Sequence, residues 1–302
     1  MNIDVLCVGH ASYDLIFSID HHPLADEKMS ASAFIGMGGG PAANAAVTVA
    51  KLGFKAAYAG YLGLDIYGEH HYRELLDMGI HSNLIIRGRS PTPLSTVLVK
   101  PDGQRALINY KSQTKALAAD AIDFSSISAK VVLFDGHEPQ LSLALLDNYQ
   151  DKSIISVLDA GSLHDGTLAL MDKVDYLVCS EKFAIQYAGT IETALPRLAD
   201  LAPTVVITLG EKGLMWKRSQ EQGALSAFPV NCVDSTGAGD AFHGAFAAAL
   251  CTDMSWLDIL RYASAAGALC CTKVGARTGI PNHQDIELLL KSTLPNLMLT
   301  SG

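Results

Sequence analysis

Short runs of β-branched and apolar residues alternate with helical patterns along most of this chain, and that rhythm restricts its fold more than any other feature. Ile3–Val8 reads as a strand closed by Gly9, Ala42–Leu52 as a small-residue helix closed by Gly53, Ala56–Gly60 as a strand, and Tyr67–Met78 as an amphipathic helix ended by Gly79. Val131–Phe134, Ile154–Leu158, Tyr176–Val178 and Val205–Thr208 continue the strands. Leu141–Asn148, Glu181–Tyr187 and Thr193–Leu201 supply the helices between them, and Ala238–Leu250 and Leu257–Cys271 follow as two longer helices. Parallel strands need crossover helices and are buried on both faces, so the pattern predicts an α/β protein with a parallel sheet covered on both sides.

Four segments break the rhythm. Tyr13–Ile19, Ser32–Ile35, Leu94–Lys100 and Arg105–Tyr110 read as strands with no helix between them, the last two joined by the turn Pro101-Asp102-Gly103. They predict a small antiparallel sheet beside the main body, a lid drawn from about residues 13–36 and 92–112. No repeat, low-complexity tract or long linker interrupts the chain, so residues 1–302 read as one domain. The 49% hydrophobic and 18% charged content supplies a real core.

The same composition excludes several function classes. Net charge is −9 and no Lys/Arg cluster is present, which argues against nucleic acid and against a polybasic membrane anchor. No apolar run approaches the roughly 18–20 residues of a membrane helix, and the first residues lack the positive region of a signal peptide. The six cysteines form no CxxC and read as reduced core residues of a cytoplasmic protein. The pairs His21-His22 and His70-His71 are poor metal sites, because adjacent side chains point apart.

The strongest chemical signal is Asp234-Ser235-Thr236-Gly237-Ala238-Gly239-Asp240, placed between a strand-like Ala227–Val233 and a helix. A Gly-rich turn at a helix N-terminus frees backbone N–H groups where the helix dipole is positive, which favours a transferring phosphoryl group. A carboxylate beside a phosphate site adds repulsion, so Asp240 makes sense as a base that deprotonates an attacking hydroxyl. The bland alternative, an acid complementing the helix dipole, suits an isolated Asp better than one closing this heptad.

A second glycine segment, Gly36-Met37-Gly38-Gly39-Gly40-Pro41-Ala42-Ala43-Asn44, opens the first helix. It fails as a dinucleotide fingerprint because Pro41 stands where the third glycine belongs. It reads instead as a surface for close approach, with Asn44 offering an amide to a polyol. Asp14, placed after the first strand, can accept sugar hydroxyls, and Thr208-Leu209-Gly210-Glu211-Lys212-Gly213 is a strand-to-glycine turn suited to a nucleotide.

The two glycine segments together, in this order, resemble the signatures of the PfkB/ribokinase family of carbohydrate kinases, and the resemblance covers essentially the whole chain. It implies a ribokinase-like, Rossmann-type three-layer α/β sandwich with a β-sheet lid, ATP with Mg2+ as phosphate donor, a sugar acceptor, and a homodimer through the lid. By resemblance Asp240 is the base and Gly237, Ala238 and Gly239 form the anion hole. Asp14, Gly39, Gly40, Asn44 and Asn109 fall at substrate-side positions, and Thr208, Gly210, Gly213 and Thr236 at nucleotide-side positions. Asp234 falls at a position linked to a monovalent cation such as K+. Several stretches look like the sulfofructose kinase branch, with ketohexokinase a more distant relative. Lys28 stands where that branch carries a basic residue near the sulfonate, but His137 stands where it carries an anion-binding arginine, and an imidazole is a poor substitute for a guanidinium fork. A neutral ketose or related polyol therefore competes with a sulfosugar as the expected acceptor. A nucleoside acceptor and a non-catalytic sugar sensor remain the alternatives. Ser180-Glu181-Lys182-Phe183 departs from the family's Asn-x-x-Glu near the metal.

Overall fold

A computed structural model describes residues 2–111, 113–149 and 154–293. The expected domain limits, 1 and 294–302, and residue 112 at the end of the expected lid lie outside the described residues.

The main sheet contains β1 (Asn2–Val8), β4 (Ala56–Gly63), β5 (Ile85–Gly88), β8 (Ser128–Phe134), β9 (Ile155–Ala160), β10 (Tyr176–Ser180), β11 (Thr204–Thr208), β12 (Leu214–Arg218) and β13 (Glu221–Leu225). The lid holds β2 (Ser12–Ser18), β3 (Ala33–Gly39), β6 (Leu94–Val99) and β7 (Arg105–Tyr110). The helices are α1 (Pro41–Lys51), α2 (Ile66–Asp77), α3 (Pro139–Tyr149), α4 (Asp165–Leu170), α5 (Glu181–Ala188), α6 (Ile191–Ala199), α7 (Ala238–Ala249), α8 (Trp256–Cys270) and α9 (His283–Thr293).

Nine strands form the main sheet in the order β13-β12-β11-β10-β9-β8-β1-β4-β5. Pairing is parallel from β5 through β11 and antiparallel at β12 and β13. Successive side chains of a strand point to opposite faces. On β1, Val5 and Cys7 therefore join one apolar layer with α1, α7 and α8, and Leu6 and Val8 join the other with α3, α5 and α6. This is the expected three-layer arrangement, with the lid as a separate four-stranded sheet in the order β3-β2-β6-β7.

Asp14 falls in a lid strand, as the Tyr13–Ile19 pattern implies: it is the third residue of β2. One local expectation is corrected. Ala227–Val233 is not a strand; β13 ends at Leu225 on the sheet edge, and this apolar stretch has no ladder partner. Three of the six cysteines are buried as expected, but Cys232 is exposed.

The lid register decides which residues face the body. Asp14 pairs with Met37 and Ser95, and Ser95 pairs with Asn109, so all four share one face. Ile16 and Met37 on that face pack toward Gly275 and Val274, so it is the inner one. Arg105 lies on it too, in line with Leu107 and Asn109 along β7. The outer face carries Leu15, Phe17, Phe34, Leu98, Ile108 and Tyr110.

Candidate active site

The turn ahead of α7 is built to leave donors free. Gly237 caps the helix at φ 77°, a left-handed conformation, and a Cβ there would lie 2.8 Å from the Ala276 backbone, so both dihedral and space require glycine. Asp234 anchors the turn from below. Its Oδ1 accepts from the Thr236 N–H at 2.9 Å and the Thr236 hydroxyl at 2.6 Å, and its Oδ2 accepts from the Gly275 N–H at 2.8 Å. Both oxygens are thus used by protein donors, which accounts for the burial of Asp234 without a bound cation. The N–H groups of Gly237, Gly239 and Asp240 meet no acceptor among the described residues and open at the positive end of α7.

His243, one turn into α7, steadies this mouth. Its Nδ1 lies 2.6 Å from the Gly239 carbonyl and 3.3 Å from Asp159 at the end of β9. Burial pushes the Asp159 carboxyl up to about 7. From the lid, the Arg105 guanidinium donates to the Thr236 hydroxyl, so the β6–β7 hairpin rests on the anion-hole turn.

Small residues bring α1 and α7 together. A Cβ on Gly244 would lie 2.6 Å from the Ala45 carbonyl, and alanines fill both facing sides. This close approach lets the Asn44 amide donate to Asp240 Oδ2 at 2.8 Å. Burial raises the Asp240 carboxyl above its ordinary range, while the Asn44 hydrogen bond and His243 oppose the shift. A carboxylate tuned upward but still held by a donor suits a general base.

Three glycines form the floor beside it, as the end of β3 and the start of α1. Gly39 lies under Asp14, whose carboxylate oxygen would be 2.2 Å from an added Cβ. Gly40 is at φ 94°, and its Cβ would meet His10 O and Ala11 Cα at 2.6 Å. No side chain caps α1. Asp135, at the end of β8, takes that role from outside: its Oδ2 accepts from Ala42 N–H at 3.2 Å and His10 N–H at 2.7 Å, and its Oδ1 from His137 N–H at 2.9 Å. Asp14 is buried, accepts from the Ser12 hydroxyl at 2.9 Å, and is raised by burial against the pull of Ser12, Ser95 and Arg277.

The expected site residues therefore converge unequally. Asp14, Gly39, Gly40, Asn44, Asp234, Thr236, Gly237, Ala238, Gly239 and Asp240 form one connected group. Asn109 shares the inner lid face with Asp14 but is exposed. Thr208, Gly210 and Gly213 lie at the carboxyl end of β11, the edge of the sheet that also presents His10 and Asp135. Gly213 is explained by packing, because its Cβ would meet the Leu225 carbonyl at 1.9 Å. His137 stacks on His164 with centroids 4.8 Å apart and lies 5.2 Å from His10. Lys28 is exposed in the connection between β2 and β3. Glu181 caps nothing in the site; it pairs with Lys212 at 3.2 Å. Among the described residues no group of three or more His, Cys, Asp or Glu side chains is placed to hold a metal.

Sequence reasoning assigned no role to Asp135, Asp159, His71, Glu74 or Arg277. Their contacts to the site cross up to 233 positions of chain, as between Asn44 and Arg277, so no local spacing announces them.

Comparison with known proteins fits this geometry. The profile of the pfkB family carbohydrate kinases matches residues 2–283. A probable fructokinase-4 from Arabidopsis thaliana is 28% identical over 95% of this chain and 96% of its own. The crystal structure of a putative ribokinase from Agrobacterium tumefaciens superposes with a TM-score of 0.88 at 27% identity, covering 98% of this chain and 100% of the other. The Arabidopsis thaliana ribokinase solved with ribose and ATP superposes with a TM-score of 0.84 at 27% identity, over 96% of this chain and 99% of the other.

Proposed function

The chain belongs to the pfkB family of carbohydrate kinases and is an ATP-dependent kinase of a sugar or nucleoside; from that premise we propose that it phosphorylates a primary hydroxyl of an uncharged sugar, a ketose or related polyol, with Asp240 as the base. The observation that carries this is the 2.8 Å contact of Asn44 with Asp240, which joins the glycine floor to the mouth of α7. The sugar rests on Asp14, Gly39, Gly40 and Asn44. Asp240 takes the proton of the attacking hydroxyl as the γ-phosphoryl group moves in line. The free amides of Gly237, Gly239 and Asp240 meet the charge that develops on that group, whereas the Ala238 N–H, expected to join them, is taken by the Ser235 carbonyl at 3.3 Å. ATP binds along the carboxyl edge of β10 and β11, by Thr208, Gly210 and Gly213, with Thr236 at its phosphate end. Mg2+ arrives with the nucleotide, whose oxygens supply most of its ligands.

The preference for an uncharged acceptor rests on the far corner of the pocket. Burial and the neighbouring His137 push His10 down to about 4, and burial lowers His164 as well. Neutral imidazoles donate and accept single hydrogen bonds, which suits hydroxyls better than a sulfonate. A panel of ketoses, aldoses, sulfosugars and nucleosides, scored by ADP release, tests the assignment: turnover confined to sulfosugars or nucleosides would refute it.

The outer lid face supports a homodimer. Phe34 is 57% exposed and Ile108 66% exposed, beside Phe17 and Tyr110. Such an apolar sheet face fits a second copy of the same lid. No helix among the described residues is long and apolar enough to cross a membrane.

A further inference from the structure

We propose that Arg277 is a positioning residue for phosphoryl transfer: it locks the Asn44 amide in the orientation that holds Asp240, and it ties that contact to the lid strand carrying the glycine floor. The inference rests on the reading of Asp240 as the base.

Arg277 follows α8 and is buried. A guanidinium donates only, so each partner must accept. Its Nε–H donates to Asn44 Oδ1 at 2.9 Å, which commits the Asn44 NH2 group to Asp240. One terminal nitrogen donates to Glu74 Oε2 at 2.9 Å, and the other lies 2.6 Å from His71 Nε2. His71 must therefore carry its proton on Nδ1, and burial beside the guanidinium pushes its pKa well below the ordinary range. Glu74 Oε2 also accepts from the Gly38 N–H at 2.8 Å, so the chain of contacts runs from β3 through α2 and Arg277 to α1 and α7.

This network accounts for the first of the three successive glycines. A Cβ on Gly38 would lie 2.3 Å from an Arg277 nitrogen and 2.4 Å from the His71 ring, so the strand can pass over the guanidinium only without a side chain. The charge has a second use. A buried cation costs several kcal/mol unless it is paired, and Arg277 is flanked by the carboxylates of Glu74, Asp14 and Asp240. The other charged groups around Asp240 are Arg105 from the lid, Asp135 from β8, Asp159 from β9 and His243 on its own helix. Removing Arg277 leaves the carboxylates of Glu74 and Asp14 uncompensated beside the base and frees the Asn44 amide to turn, and both changes favour protonation of Asp240.

The test compares Arg277→Met and Arg277→Lys with the wild type in kcat and KM for the best acceptor and for ATP, in the pH profile of kcat/KM, and in thermal melting. Arg277→Met should lower acceptor kcat/KM roughly 100-fold and move the acidic limb of the profile up by roughly one unit, with KM for ATP changed by less than about threefold. Arg277→Lys keeps the charge but cannot reach Asn44, Glu74 and His71 together, so the limb should move less than in Arg277→Met while kcat falls roughly tenfold. If Arg277→Met melts at a lower temperature but keeps the wild-type acidic limb, the role is only structural and the inference is overturned. If Arg277→Met does not fold, Arg277→Lys decides: wild-type kcat in that variant overturns the inference too. Asp240→Asn separates the two claims. Full turnover in Asp240→Asn sinks the base itself, whereas an inactive Asp240→Asn beside an unshifted Arg277→Met sinks only the positioning role of Arg277.

Discussion

Replacing Gly239 with alanine should stabilise the fold and damage the enzyme. Gly239 is the second residue of α7, and a Cβ added there meets nothing within 4 Å. Alanine is the better helix former by up to about 1 kcal/mol, so the folded state gains and the melting temperature rises by roughly 2 °C. The open space is the mouth of α7, however, where the transferring phosphoryl group draws on free amides. A methyl group in that space pushes the phosphoryl oxygens away from their donors, and loss of one such donor costs about 10²–10³ in kcat. Gly237 gives the opposite stability result in the same turn. Its φ of 77° and the 2.8 Å approach of the Ala276 backbone make alanine both strained and crowded. Strain of about 1–2 kcal/mol and overpacking of about 1–3 kcal/mol should lower stability by roughly 2–5 kcal/mol. Thermal melting and a coupled ADP assay on both variants read the two effects separately. A Gly239→Ala enzyme with wild-type turnover would refute the placement of the phosphoryl group at this helix.

Three further outcomes follow from other parts of the molecule. Gly40→Ala should lose roughly 2–5 kcal/mol by the same two costs and raise acceptor KM, whereas Gly53→Ala, also at positive φ but with open space around it, should show the strain alone; equal losses in chemical denaturation would contradict the crowding argument. Glu138 is pushed up to about 7, chiefly by burial, from an unfolded value of 4.5, so the protonated form favours the folded state and stability falls as pH rises from about 4.5 to 7. Glu138→Gln should flatten that slope by an amount on the order of 2–3 kcal/mol, and an unchanged pH dependence in urea titrations would show that another group carries it. Ile108→Lys paired with Phe34→Lys on the outer lid face should convert a dimer to a monomer in light scattering, with little change in melting of the body; an unaltered mass would show that the lid face is not the interface.

The features legible in the sequence are those carried by local spacing. The heptad ending at Asp240 and the glycines before Asn44 announce a helix mouth and a close-packed floor, because dihedral and steric demands act within a few residues. The turn Pro101-Asp102-Gly103 announces the lid hairpin in the same way. The strand position of Asp14 is legible in the Tyr13–Ile19 pattern, but its place over Gly39 is not, because that depends on the pairing of β2 with β3. The β12–β13 hairpin escapes notice because its turn, at Ser219-Gln220, puts Ser219 rather than glycine at positive φ. Ala227–Val233 looks like a strand by its apolar content, but only a partner strand makes one, and the sheet has already ended. The Arg277 network joins four elements, and its meaning exists only once α1 and α7 are packed. Composition cannot reveal it, because a lone buried arginine and a surface arginine look alike in a sequence.

The most direct test is turnover of Asp240→Asn with the best acceptor, measured on a sample whose melting and ATP affinity match the wild type. General-base removal predicts a fall of about 10²–10⁴ in kcat with nucleotide binding intact. Near-normal turnover would contradict the assignment of the α7 mouth and its carboxylate as the phosphoryl-transfer site.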